Sequence, residues 1–314
     1  MKIAYLFPGQ GAQFVGMGAE FTQSFPEAAQ IFQKANDILG FDLKKICFDG
    51  PSEKLNTTVL SQPAIFTTSA AILETLKYTF NSGIKQPDAT AGLSLGEYTA
   101  LYAAGLISFE QALVLVHQRG QAMQDAAEKQ NGAMVSIIGL DEEKVRHLCD
   151  DAARGELLQP VNFNCPGQIV ISGDNSACSR AEQMAEKYGA IKAIRLEVAG
   201  AFHTKLMAGA AENLAGALKK VDIREPSDIK VIANISAEYY QKPHEITDGL
   251  VSQLTCPILW QKCMERLISD GVEEFYEIGP ARVLTGLMKR IDRKAKVINI
   301  SNVKTLKTIT RITA

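Results

Sequence analysis

Ala89-Thr90-Ala91-Gly92-Leu93-Ser94-Leu95-Gly96-Glu97-Tyr98 is the stretch on which the fold reading turns. Ala89–Leu93 is a short apolar run of the kind that forms a buried strand, and Glu97–Ala104 carries helix formers. The G-x-S-x-G between them leaves room only for a sharp strand-to-helix turn, the context of a nucleophile elbow. The two glycines keep side chains off the serine. Ser94 then stands at a helix N-terminus, where the Leu95 amide and the helix dipole point at any oxyanion formed there. The competing reading is a serine that caps a helix between packing glycines.

Working outward, Ile3–Phe7 reads as another buried strand, ended by Pro8-Gly9-Gln10-Gly11. Pro26 suits the first turn of a helix that Gly40 stops. Ser61 and Pro63 are expected to open a helix running through Ile65, Ile72, Leu73 and Leu76 toward Phe80. Ser108-Phe109-Glu110-Gln111 fits a capping box ahead of a long helix to about Lys129. Strands that alternate with helices predict an α/β fold with a mostly parallel sheet. From Asn131 the order changes to β-α-β-β-α-β: strands at Gly132–Gly139, Pro160–Phe163, Gln168–Ser172 and Ala190–Val198, helices at Asp141–Ala153 and Asn175–Tyr188. That is a ferredoxin-like α+β unit, expected as an insert over 130–198 in a larger domain built from 1–129 and 199–314. The larger domain resumes with a helix near Thr204–Lys220, strands at Lys230–Asn234 and Glu273–Ile278, and helices near Thr247–Leu254 and Pro257–Asp270.

The 314 residues, 46% hydrophobic and 22% charged, exclude a disordered or low-complexity chain. Six cysteines without a CxxC pair point to reduced thiols, and no apolar run approaches a membrane span, so a soluble cytoplasmic protein is expected. Net charge is −2, but 281–314 holds nine Lys/Arg against Asp292 alone, which leaves −10 on the rest. This basic stretch reads either as a docking face for an acidic partner or as a solvated tail. Nucleic-acid binding would need more than that. The Gly9–Gly18 loop lacks the third glycine of G-x-G-x-x-G and the lysine of a P-loop, which argues against nucleotide phosphates.

A serine nucleophile needs a base. Of the four histidines, His147 and His244 lie in polar surroundings and His117 sits beside Val116 on a long helix. His203, in the small-residue loop Ala199–Thr204, is the candidate base, against a hydrogen-bonded structural histidine. Arg119 shares a helix face with Leu115, Val116, Ala122 and Met123. An arginine on an apolar stripe needs an anion, either a substrate carboxylate or an internal Asp or Glu, and spacing does not separate the two. The histidines show no metal-binding spacing, so no metal is expected.

Six ordered blocks, Phe7–Gln13, Gly92–Tyr98, Gln118–Gly120, Asn162–Gln168, Gly200–Thr204 and Gly279–Thr285, together resemble malonyl-CoA:acyl carrier protein transacylases and the acyltransferases of polyketide synthases, free-standing trans-acting ones included. The resemblance runs from Ile3 to about Ile291. It implies a hydrolase-like α/β core with a ferredoxin-like insert, and ping-pong transfer of a malonyl group from malonyl-CoA to the phosphopantetheine thiol of an acidic carrier protein, with no bound cofactor. It implies Ser94 as nucleophile, His203 as base, oxyanion amides at Gln10 and Leu95, and Arg119 on the malonyl carboxylate. It further implies the Gln253 main-chain carbonyl as orienter of the histidine, and Phe202 and Asn162 as specificity or cleft residues. Leu93 departs from the histidine usual before the serine, and Cys165 from a common serine. The alternatives are the same transfer in a polyketide pathway, an acyl-thioester hydrolase, and a non-catalytic carrier-protein binding module.

Overall fold

In the computed structural model, residues 1–78, 85–226 and 228–310 are described. Five strands form one parallel sheet: β1 (Lys2–Phe7), β2 (Ala89–Gly92), β7 (Lys230–Val231), β8 (Val272–Ile278) and β9 (Lys296–Ile300), in the order β7-β2-β1-β8-β9. β1 is apolar and buried from Ile3 onward, as a strand covered on both faces must be. Helices cover it. Phe66 of the helix Thr58–Tyr78 stacks on Phe109 of the helix Phe109–Glu128, and Tyr102 closes on both. The capping box is present as expected: Ser108 Oγ accepts from the Gln111 amide and the Gln111 side chain accepts from the Ser108 amide.

The second sheet is antiparallel, in the order β4-β5-β3-β6, from β3 (Gly132–Ile138), β4 (Leu158–Cys165), β5 (Gln168–Asp174) and β6 (Lys192–Arg195). With helices Glu142–Ala153 and Asn175–Met184 this is the β-α-β-β-α-β unit read from the sequence. Its own core is Val135, Ile137, Val145, Leu148, Ile171 and Ala181. β4 is tied to the larger body by Phe163 N–H donating to Ile258 O at 2.9 Å and Ile258 N–H donating to Val161 O at 2.7 Å. Arg290 adds bonds to Pro166 O, Gly167 O and Gln168 Oε1.

Four expectations are corrected. The helix expected from Ser61 begins at Thr58, with Pro63 inside it, and Phe80 lies outside the described residues. Proline has no N–H to bond the Val59 carbonyl, which falls in the first turn of this helix. The strand expected over Ala190–Val198 is only Lys192–Arg195, and the helix over Asn175–Tyr188 ends in a 3₁₀ turn at Ala185–Tyr188. The basic C-terminal stretch is no tail: it contains the helix Val283–Ile291, the edge strand β9 and the helix Val303–Thr310. Arg311, counted among its charges, lies outside the described residues. Among the described residues no helix is long and apolar enough to cross a membrane.

Candidate active site

The elbow sits where β2 ends and the helix Gly96–Ala103 begins. Ser94 has φ 51°, a left-handed conformation that costs energy for any residue with a Cβ. The turn is too tight for other side chains. A Cβ on Gly92 would lie 1.9 Å from Gly96 C, and one on Gly96 would lie 2.1 Å from Phe7 O. Asn234 clamps the turn: its Oδ1 accepts from Ser94 N–H at 2.6 Å and its Nδ2 donates to Gly92 O at 2.8 Å.

Ser94 Oγ is 3.1 Å from His203 Nε2. His203, itself at φ 61°, has Nδ1 2.7 Å from Gln253 O, the C-terminal residue of the helix Pro243–Gln253. A carbonyl can only accept, so Nδ1 carries the proton and Nε2 faces the hydroxyl as an acceptor. Burial is the main force that pushes the imidazole down to about 4; Arg119 pushes the same way and the Gln253 carbonyl opposes it. His203 is therefore neutral across the physiological range.

Arg119, 1% exposed, reaches the same hydroxyl: Nη2 donates to Ser94 Oγ at 3.0 Å and to Gln253 Oε1 at 2.9 Å, and Nη1 donates to Gln62 Oε1 at 2.7 Å. Its Nε is buried without a partner, and the guanidinium packs 5.5 Å from the centre of the Tyr98 ring. All three acceptors are neutral. Burial lowers the guanidinium from its ordinary value, and Glu97 partly offsets this from beyond Gln253. Glu97 is fully buried and burial pushes it up to about 7, against the bonds it receives from Tyr240, Gln253 and Asn234.

These groups open into one cavity of about 600 Å³. Gln10, Leu93, Ser94, Leu95, Arg119, Phe202 and His203 line it from the larger body, and Met134, Asn162, Ile194 and Arg195 from the small sheet. Asn162 Oδ1 is buried there with no partner. All eight site residues singled out in the sequence thus converge: Gln253 stands behind Ser94 and the other seven line the cavity. Sequence reasoning gave no role to Gln62, Glu97, Asn234 or Tyr240. Glu97 had a signal, an acid at the start of an apolar helix; the others had none.

The chain matches the acyl transferase domain family over residues 4–311. It is 44% identical over 306 residues to the malonyl CoA-acyl carrier protein transacylase of Bacillus subtilis, covering 97% of this chain and 95% of that one. It is 42% identical to the Escherichia coli (strain K12) protein of the same name, over 92% of this chain and 93% of that one. Among solved structures, a malonyl-transacylase in complex with its type II polyketide synthase acyl carrier protein superposes with a TM-score of 0.94 at 40% identity, covering 99% of each chain. An acyl carrier protein S-malonyltransferase from Vibrio cholerae gives 0.92 at 42% identity, over 98% of this chain and 100% of that one. The elbow, the buried imidazole and the guanidinium beside it are therefore those of a chain that belongs to the acyl transferase domain family, among the malonyl CoA-acyl carrier protein transacylases.

Proposed function

We infer that this protein transfers the malonyl group of malonyl-CoA to the phosphopantetheine thiol of an acyl carrier protein, for fatty-acid or polyketide chain building. The observation that carries the reading is a single hydroxyl, Ser94 Oγ, within 3.1 Å of a neutral imidazole and 3.0 Å of a buried guanidinium. His203 Nε2 takes the Ser94 proton as Oγ attacks the thioester carbonyl. The Leu95 and Gln10 amides hold the oxyanion, which gives the first glycine-containing loop its purpose. The tetrahedral adduct collapses, the C–S bond breaks, and the imidazolium returns the proton to the departing CoA sulfur. The carrier thiol then attacks the malonyl-Ser94 ester by the same steps in reverse, and Ser94 regains its proton.

Arg119 takes the malonyl carboxylate, leaving its contact with Oγ. An anion there also neutralises the charge that opposes imidazolium formation on His203, so a substrate that binds Arg119 assists its own base. Phe202 and Asn162 shape the acyl end of the cleft, and Leu93 replaces a polar residue at its rim. Residues 1–129 with 199–314 would form the chemical body and 130–198 an inserted ferredoxin-like unit that walls the cleft. No bound cofactor is required; malonyl-CoA and the carrier protein are substrates. Six free cysteines support a reducing, cytoplasmic setting. Intact-protein mass spectrometry tests the reading: malonyl-CoA adds one malonyl group to the wild type and none to Ser94→Ala. A malonylated S94A protein overturns it. Hydrolysis that outruns transfer in the presence of carrier protein selects the thioester hydrolase instead.

A further inference from the structure

Three hydrogen bonds converge on a carboxylate that the transfer steps do not use. Glu97 Oε2 accepts from Gln253 Nε2 at 2.7 Å and from the Asn234 amide at 3.2 Å, and Oε1 accepts from the Tyr240 hydroxyl. Each of the first two partners holds a group at the reaction centre. Gln253 presents its main-chain oxygen to His203 and its side-chain oxygen to Arg119. Asn234 presents Oδ1 to the Ser94 amide.

A glutamine side chain has a donating and an accepting end, and the two are nearly the same shape. Gln253 Nε2 faces Glu97 and Ser94 O, both of which only accept while the carboxylate is ionised. Its Oε1 is thereby left to Arg119, which only donates. Were the amide turned round, Oε1 would meet two acceptors and Nε2 would meet a guanidinium. Ser94 O alone supplies one acceptor at 3.1 Å; Glu97 supplies the second at 2.7 Å. The same carboxylate pins the backbone of Asn234, whose side chain holds the strained turn.

We propose that Glu97 is the positioning residue of this site: through Gln253 and Asn234 its side-chain oxygens set the direction of the Arg119 guanidinium, the His203-orienting carbonyl and the Ser94 turn together. Reach matters more than charge in this role. A glutamine at 97 can keep an oxygen toward Gln253 and Asn234 and turn its NH2 to the Tyr240 oxygen, which accepts as well as donates. An aspartate keeps the charge but is one methylene shorter, so it cannot span from Tyr240 to Gln253.

The inference rests on the malonyl-transfer reading. The test compares wild type with E97Q, E97D and E97A, with folding followed by thermal melts. Initial rates with malonyl-CoA and acetyl-CoA are counted per serine that can be malonylated, so poorly folded molecules drop out. The expected result is E97Q within about threefold of wild type in kcat, and E97D and E97A reduced about tenfold or more. In E97D and E97A the malonyl-over-acetyl preference also falls, because Arg119 loses its aim. E97D with wild-type kcat and preference overturns the proposal, as does E97Q impaired as deeply as E97D. A structural role alone lowers the melting temperature of E97A while leaving preference per titrated serine unchanged, and that outcome also overturns it. If E97A does not fold, the E97Q and E97D pair decides. Failure of the transfer reading is seen separately, as wild-type protein that gains no malonyl group.

Discussion

Arg119 carries a buried positive charge whose direct partners, Gln62, Gln253 and Ser94, are all neutral. Its planar fork suits a carboxylate, and a charge-assisted bidentate contact contributes more than a neutral one. Arg119→Ala should lower kcat/KM for malonyl-CoA by about 100-fold or more, with a smaller loss for acetyl-CoA; competition between the two thioesters measures the ratio. An unchanged ratio would remove Arg119 from carboxylate recognition. His203 gives a second expectation. Burial holds it neutral down to about 4, so the acid limb of kcat/KM should fall near there rather than near its ordinary 6.5. The sign for stability follows. The unfolded chain binds the proton first, so the fold loses this contribution as pH drops from about 6.5 toward 4, which melts across that range can follow. Ser94, His203 and Arg119 were legible because each breaks a local rule: a serine between glycines, a histidine in an apolar loop, an arginine on an apolar stripe. Gln62, Asn234 and Tyr240 break none. Asn234 and Tyr240 lie 140 and 143 residues from their partners Ser94 and Glu97, a separation that no local pattern records.

The strand-to-helix turn shows how closely elements must approach for this chemistry. Gly96 packs its backbone against the end of β1, with Phe7 O 2.1 Å from where a Cβ would be. Gly96→Ala must push β1 and the helix Gly96–Ala103 apart. Melting should fall by roughly 5–10 °C, since about 1 kcal/mol shifts a chain of this size by a few degrees. Malonylation should fall further than the folded fraction, because the elbow also aims Ser94. The elements most legible in the sequence were those with strong punctuation, such as the capping box at Ser108 and Gly40 after the helix Pro26–Leu39. Elements were misread where tertiary contacts override local signals. Pro63 sits inside a helix because its lost bond falls near the helix start, where one missing bond breaks little of the ladder. β9 was hidden by its charged surroundings: only Val297, Ile298 and Ile300 are apolar there, yet it pairs in register with β8 from Glu274↔Lys296 to Ile278↔Ile300.

At the scale of the whole molecule, charge is divided: the stretch from 281 carries +8 and the remainder −10. Some of that basicity is already committed. Arg290 holds the turn after β4, and Lys296 pairs with Glu274. Arg282, Lys289, Arg293 and Lys294 are exposed and face solvent. Exposed charges of one sign speed encounter with a partner of the other sign more than they tighten the final complex. The K289E/K294E pair should raise KM for carrier protein about fivefold to tenfold. Ser94 malonylation by malonyl-CoA should change by less than twofold, and stopped-flow or quenched assays of the two half-reactions separate them. Equal effects on both would move the docking face elsewhere.

The central strand of the large sheet, β1, is made long before its neighbour β8; Ile3 waits for Glu274. Pairings of such separation form slowly, because a long loop must close before any contact rewards it. His203 and its orienting carbonyl at Gln253 also arrive late. A nascent chain that has passed Ser94 but not His203 thus holds an elbow but no working imidazole. Until β8 follows, the growing chain carries a half-made sheet with one edge of β1 bare, the kind of edge that invites pairing with another chain.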